Sequence, residues 1–191
     1  MSRIPLTPPR TLLYRAAAWY SRRAYKEVLD PVKALAHNPR VAFGYLLTEL
    51  SAAKWNRLDP TLKCLAEMVA AARIGCSWCM DFGYWESHNQ GVPVLKIRNA
   101  PAWREHRGDY DEWELLVMEY TEAVTETPPA VTDDMAARLR AHLGDPAFVE
   151  LTAVVALENL RSRVNGAFGL SSQGFSDRCP TPGPGAVRPA S

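Results

Sequence analysis

The sequence predicts an all-α fold, a helical bundle with two long central helices and peripheral helices around them. Three observations carry this. No stretch alternates apolar and polar residues over the length of a strand. Apolar residues recur instead at helical spacing along most of the chain. Two long apolar segments, 59–74 and 145–167, each open on Asp-Pro, an N-cap followed by a proline at the first helical position. These two are expected to form a central antiparallel or crossing pair.

Residues 1–10 are rich in proline and read as extended. A stripe over 11–27 places Leu13, Ala17, Tyr20 and Ala24 on one face, with Arg15, Arg22 and Lys26 opposite. It reads as a helix laid on the core, or alternatively as a membrane-surface or partner helix. Residues 1–30 are therefore taken as an N-terminal extension, and 31–178 as the domain proper. Asp30-Pro31 restarts the chain into 32–37, and Asn38-Pro39 opens a helix over 40–56. The segment 61–74 is apolar over more than half its surface, which implies deep burial, and Gly75 ends it. A helix then runs from Cys76 to about Gln90, with Gly91 as its stop.

A short helix is expected over 94–98, then a loop over 100–108 that carries Trp103. The segment 110–127 has Trp113, Leu116, Val117, Tyr120 and Val124 on its core face and ends at Pro128-Pro129. Thr132 caps 133–142, where Asp133 and Asp134 suit the positive end of the helix dipole. The long helix 147–167 follows, ended by Gly166 or Gly169. Residues 179–191 are rich in Pro, Gly and Ala and are expected to stay disordered.

Composition excludes several classes. The chain has 191 residues, 47% of them apolar and 23% charged, as in a soluble globular protein. A formal net charge of +1 gives no pull toward nucleic acid. No apolar run reaches the roughly 18 residues that a membrane helix needs. Arg10, Arg15, Arg22 and Arg23 break up any signal-peptide core. The basic N-terminus also admits a transit-peptide reading, although a docked helix suits it better. With 4 cysteines, unevenly placed, a secreted disulfide framework is not expected, and a reducing, cytoplasmic setting is.

The chemistry centres on Cys76 and Cys79, three apart at a helix start. There, free N–H groups and the helix dipole favour a thiolate. One thiol can attack and the other resolve, so the pair suits reversible disulfide chemistry. Two inert buried thiols, or half of a zinc site completed from Cys64, Cys179 and His88, are the alternatives. In the redox reading the first cysteine of such a pair is usually the more exposed; the sequence leaves open which one attacks. We expect no resident cofactor or metal.

Carboxylates flank the pair. Glu67 stands alone in an apolar helix, as a buried general base or as a rim residue paired with Arg73 or Lys63. Asp81 accepts a thiol's proton or stabilises the helix N-terminus. His88, near the helix end, reads as a partner of the dipole or as a catalyst. His37, His106 and His142 read as surface residues. In the last apolar helix, Glu150, Glu158, Asn159, Arg161, Arg163 and Asn165 need partners. Glu158 and Arg161 are i,i+3 neighbours and can pair.

Several blocks occur in order: Leu-Asp-Pro-Thr-Leu-Lys (58–63), Gly-Cys-Ser-Trp-Cys-Met-Asp (75–81), Tyr-Thr-Glu-Ala-Val-Thr (120–125) and Val-Glu-Leu-Thr (149–152). Glu-Asn-Leu-Arg-Ser-Arg-Val-Asn-Gly-Ala-Phe-Gly-Leu (158–170) and Gln-Gly-Phe-Ser-Asp (173–177) complete the set. In these the chain resembles the carboxymuconolactone decarboxylase/alkylhydroperoxidase-D-like family over about residues 31–178. The resemblance implies an all-α subunit in a homo-oligomer (dimer, trimer or hexamer) with its site near subunit contacts. It also implies peroxiredoxin-like activity through the Cys-x-x-Cys pair, on a hydroperoxide or another small molecule. In that family the downstream cysteine meets the substrate. A thioredoxin-like or dihydrolipoyl donor would restore the dithiol. The family's peroxidase branch relays protons through a Glu and two His. Here those positions hold Cys64, Trp78 and Gly83, so only Cys76 and Cys79 carry over. Any relay would fall to Glu67, Asp81 or His88. The competing implications are a non-redox lyase or isomerase, as in the decarboxylase branch, and a helical assembly without catalysis.

Overall fold

In a computed structural model, residues 2–180 are described; most of the tail expected to be disordered, 181–191, lies outside them. The described residues are helical and contain no strand. The helices are α1 (Leu12–Tyr25), α2 (Asp30–Leu35), α3 (Pro39–Ala52), α4 (Pro60–Ile74), α5 (Ser77–Asn89), α6 (Val94–Asn99), α7 (Glu112–Thr125) and α8 (Asp133–Phe168).

Helix α4 is the centre, packed against α5, α7 and α8. Asp59 caps it by accepting from the Thr61 and Leu62 N–H groups, and Pro60 needs no donor in that first turn. Leu62, Ala66 and Ala70 of α4 meet Leu116, Val117 and Tyr120 of α7 and Leu151, Val154 and Val155 of α8 in one core. Each large aliphatic side chain buried there contributes roughly 1.5–3 kcal/mol. The opposite side of α4, with Leu65, Met68 and Val69, packs on Ile97, Trp103 and Met118. The expected central pair is thus α4 and the second arm of α8.

Four local expectations are corrected. The inward face of α1 is Tyr14, Ala18, Ser21 and Tyr25, whereas Tyr20 and Ala24 are exposed. Ser21 sets this register, since its hydroxyl donates to Glu27 O (2.8 Å) and accepts from Leu29 N–H (3.0 Å). Helix α3 ends at Ala52, four residues short of the expected end. The loop around Trp103 is instead a pair of 3₁₀ turns, Ala100–Glu105 and Arg107–Asp109. Trp103 is buried there, donates its indole N–H to Glu122 (2.9 Å) and is covered by the Arg104 guanidinium. The segments 133–142 and 147–167 are helical as expected and are parted at Gly144, where φ 75° and ψ 160° interrupt α8. Asp145, expected as a second cap, pairs with Arg140 (2.9 Å).

Candidate functional site

Helix α4 stops at Gly75, whose φ of +82° suits a residue without a side chain. The N–H groups of Gly75 and Cys76 both return to Ala71 O, at 3.0 and 2.9 Å. That turn delivers Cys76 to the N-cap of α5, where its sulfur accepts the Cys79 N–H at 3.2 Å. A sulfur here takes the place of the usual Ser or Asp oxygen. Cys79 lies one turn on, 5.3 Å away between Cα atoms, and the two are joined as a disulfide. The Cys79 sulfur accepts the side-chain N–H of Asn165, on α8, at 3.4 Å.

Both cysteines are buried, Cys76 at 3% and Cys79 at 7% exposure, so the expectation of one exposed thiol does not hold. Their apolar cluster includes Ala34, Ala71, Trp78 and Leu170, with Ile4, Leu6, Leu29, Met80, Phe82 and Phe168 packed against it. Ile4 and Leu6 belong to an N-terminal strap. Arg3 moors it to the end of α8 through Gly166 O (2.8 Å), Ala167 O (3.0 Å) and, by its backbone, Phe168 O (2.7 Å). His37 adds a hydrogen bond with Pro5 O (2.7 Å). A groove of about 320 Å³ opens beside the first turn of α5; its lining includes Met68, Ser77, Met80, Asp81, Tyr84 and Ile97 but neither sulfur.

The three departures from the peroxidase pattern have physical consequences. Trp78 stacks on Phe82 and donates to Gln173 (2.8 Å), so it holds the C-terminal segment rather than a proton. At Gly83 an added Cβ would stand 3.0 Å from the Met68 sulfur, so a histidine fits only if Met68 moves. Cys64 is buried and donates to Gln90. Burial pushes its thiol up to about 11, so it stays neutral.

Of the candidate residues, only Cys76 and Cys79 come together. Asp81 is turned to the C-terminal segment, accepting from the N–H of Gln173 (2.9 Å), Phe175 (3.0 Å) and Ser176 (2.8 Å) and from the Ser176 hydroxyl (2.7 Å). Burial would raise its carboxyl, but these donors outweigh burial and hold it below the usual range. His88 is half-buried in the last turn of α5, and its ring makes no hydrogen bond among the described residues.

Glu67 pairs with neither Arg73 nor Lys63. Those bind Glu126 and the Trp55 carbonyl, and Glu67 meets Arg161 at 3.1 Å. It belongs to a second constellation. Arg161 also grips Glu49 with two bonds (2.8 and 2.5 Å) and, as expected from spacing, Glu158 (3.3 Å). Glu158 further accepts from Ser162 (2.8 Å). Burial works against the Arg161 charge, but the three carboxylates outweigh it and hold the guanidinium above its ordinary range. Burial also pushes Glu158 up to about 8, against the pull of Arg161. Burial and the nearby Glu67 push Glu86, whose side chain makes no hydrogen bond among the described residues, up to about 7.

Glu49 and Glu86 were not singled out from the sequence as site residues. A signal for Glu86 exists: it stands seven residues, two helical turns, beyond Cys79, on the same face. Glu158 and Asn165 share that spacing on α8.

Over 179 residues the chain is 33% identical to the uncharacterized protein YnjA of Escherichia coli (strain K12), covering 92% of this chain and 93% of that one. ATU0492 of Agrobacterium tumefaciens, a protein of unknown function provisionally described as the antioxidant defence protein AhpD, superposes with a TM-score of 0.65 at 25% identity. The match covers 71% of this chain and 92% of that one. An uncharacterized peroxidase-related protein of Silicibacter sp. TM1040 has the same fold, with a TM-score of 0.79 at 12% identity over 91% of this chain and 92% of that one. The family model for carboxymuconolactone decarboxylases matches residues 42–123, the stretch that contains both sulfurs. With the 33% identical relative that spans nearly the whole chain, this match places the chain in the carboxymuconolactone decarboxylase family.

Proposed function

We propose that the protein is a thiol–disulfide oxidoreductase with peroxiredoxin-like activity, working through Cys76 and Cys79. The observation that carries this reading is the disulfide at the N-cap of α5, with an N–H donor on each sulfur. Such donors and the helix dipole favour thiolates over thiols once the bond opens.

In the reduced state one thiolate, that of Cys79, attacks a hydroperoxide oxygen. The O–O bond breaks, a sulfenic acid forms on Cys79, and the departing alkoxide takes up a proton to leave as the alcohol. Cys76 then attacks the Cys79 sulfur. The S–S bond forms, and the hydroxyl leaves as water with the proton of the Cys76 thiol. Two thiols and one hydroperoxide thus give a disulfide, an alcohol and water. A dithiol donor of the thioredoxin-like or dihydrolipoyl kind returns two electrons and two protons.

The working form is a homo-oligomer in the cytoplasm. Helix α3 exposes Val41, Phe43, Leu46, Leu47 and Leu50, an apolar face that a second copy would cover. Light scattering on the purified chain gives the copy number, and a monomer would contradict this part.

The test is hydroperoxide consumption by the purified protein with a dithiol donor. Turnover is expected in wild type and is expected to fall at least ~100-fold in Cys76→Ser and in Cys79→Ser. Turnover that survives in the double variant would transfer the site to non-redox lyase or isomerase chemistry. A pair that neither opens with dithiol nor closes with peroxide would make the disulfide structural.

A further inference from the structure

Asn165 is a buried polar side chain on α8, on the face that carries Ser162 and Glu158 one and two turns before it. Its main chain is fixed, because its carbonyl accepts from Leu170 N–H at 3.0 Å in the turn that ends α8. Its side-chain N–H points at the Cys79 sulfur, 3.4 Å away. Buried amides of this kind normally find an oxygen. A disulfide sulfur is a poor acceptor, and so the N–H is only weakly satisfied while the bond is closed. A thiolate in the same place would turn the contact into a charge-assisted hydrogen bond. The side chain is therefore more complementary to the open, ionised state than to the closed one. A group that binds one state better shifts the equilibrium toward it.

The positions that would hold proton-relay groups in the peroxidase pattern are Cys64, Trp78 and Gly83, and none presents an acid or base to the sulfurs. Cys76 already takes a backbone N–H, which no side-chain substitution removes. The only side-chain donor on either sulfur, among the described residues, is Asn165.

We propose that Asn165 holds Cys79 as a thiolate and so makes it the attacking sulfur of the pair. This rests on the thiol–disulfide reading above, whose attack step needs an ionised Cys79. The step itself is the one already balanced: Asn165 gives up no proton and no electron, and it lowers the cost of the charge on sulfur before the O–O bond breaks. A hydrogen bond to a charged group contributes enough to change the thiolate fraction about tenfold or more.

The test follows alkylation of Cys79 by iodoacetamide against pH, read peptide by peptide in a mass spectrometer, in a Cys76→Ser background that cannot close. Relative to that background, Asn165→Leu is expected to move the midpoint for Cys79 up by about one pH unit. Asn165→Asp, nearly isosteric, is expected to move it further, since it replaces a donor with a negative charge. A second readout uses the intact pair in a glutathione redox buffer. There both Asn165 variants are expected to favour the disulfide about tenfold more than wild type, because the reduced state has lost its donor. Unchanged midpoints and unchanged glutathione equilibria in folded variants would overturn the role of Asn165. Neither measurement uses a hydroperoxide. Loss of the peroxidase reading would therefore show in the wild-type turnover assay, and loss of this inference in the Asn165 variants.

Discussion

Two regions, one buried and one partly open to water, lie along the facing surfaces of α5 and α8, and they are built on opposite principles. At one end, two sulfurs sit among Ala34, Ala71, Trp78 and Leu170, with Asn165 as the polar side chain that touches them. At the other, Glu49, Glu67, Glu86 and Glu158 surround Arg161. Seven residues, or about 10.5 Å of helix, separate Cys79 from Glu86 on α5 and Asn165 from Glu158 on α8. The sulfur end is nearly neutral and closed off by apolar contacts. The carboxylate end sets four acids around Arg161, with Lys63 also near Glu86, and burial favours the neutral form of Glu86 and Glu158. The comparison teaches that the α5–α8 seam holds the cysteine pair apart from this cluster of charge, which lies two turns away.

Removing Arg161 is the largest way to break this arrangement. Arg161→Leu leaves Glu49, Glu67 and Glu158 without their shared partner. Only Glu158 among them is buried, and Glu49 and Glu67 are partly open to water, so the cost is about 2–3 kcal/mol, below that of stranding a fully buried pair. The loss is expected near pH 8 and should shrink near pH 5, where the acids can take up protons instead. Urea unfolding at the two values measures it. A loss below about 1 kcal/mol near pH 8 would mean that water already solvates this end.

The sulfur end is broken from the other side. The strap of residues 2–9 rests on the apolar cluster that holds both cysteines, and its hold is a handful of hydrogen bonds from Arg3 and His37. Segments held by so few contacts open more readily than the core. Deleting residues 2–9 is expected to raise the reaction rate of the reduced pair with an aromatic disulfide reagent about tenfold. Circular dichroism would be expected to keep its helical signal. An unchanged rate would show that the sulfurs are reached by another route.

The same contrast explains what the sequence made legible. The sulfur end is written locally: Gly75, Cys76 and Cys79 are neighbours, and the turn that places them needs only a stop and a cap. The Asp59-Pro60 start of α4 and the Glu158–Arg161 pair are local in the same sense. The carboxylate end draws one residue each from α3, α4 and α5 and two from α8. No spacing rule links Glu49 to Arg161 across 112 positions. Glu67 had Lys63 and Arg73 as candidate partners in its own helix, but the partner it found lies 94 residues on. Asp81 illustrates a further limit. Its position suggested the helix dipole or a thiol, and its four donors came from the segment 173–176, whose path depends on the whole domain. Trp103 was lost for a simpler reason: 3₁₀ turns leave no 3.6-residue period to read.

The subtlest difference between the two ends is a proton. Glu86 has an ordinary carboxyl pKa of 4.5 when unfolded and about 7 in the fold, raised by burial and by the neighbouring Glu67. A raised carboxyl favours the fold while neutral, so its contribution is whole below about pH 4.5 and is lost as pH rises through about 7. Tyr20 and Tyr25 of α1, Tyr45 and Glu49 of α3, Lys63, Cys64 and Glu67 of α4, and Glu158 and Arg161 of α8 are titratable groups of the elements packed around it. Glu158 loses stability with the same sign over a window that reaches about 8. Glu86→Gln copies the neutral form without disturbing a hydrogen bond seen among the described residues. The variant is expected to match wild type near pH 4.5 and to be more stable near pH 8.5, by on the order of 1 kcal/mol given partial access to water. Part of the fall with pH should persist, because Glu158 remains. Chemical unfolding across that range measures the difference. A variant that is weaker than wild type near pH 8.5 would mean that Glu86 is held as a carboxylate, and the excess of acids at this end would then be balanced by a cation rather than by protons.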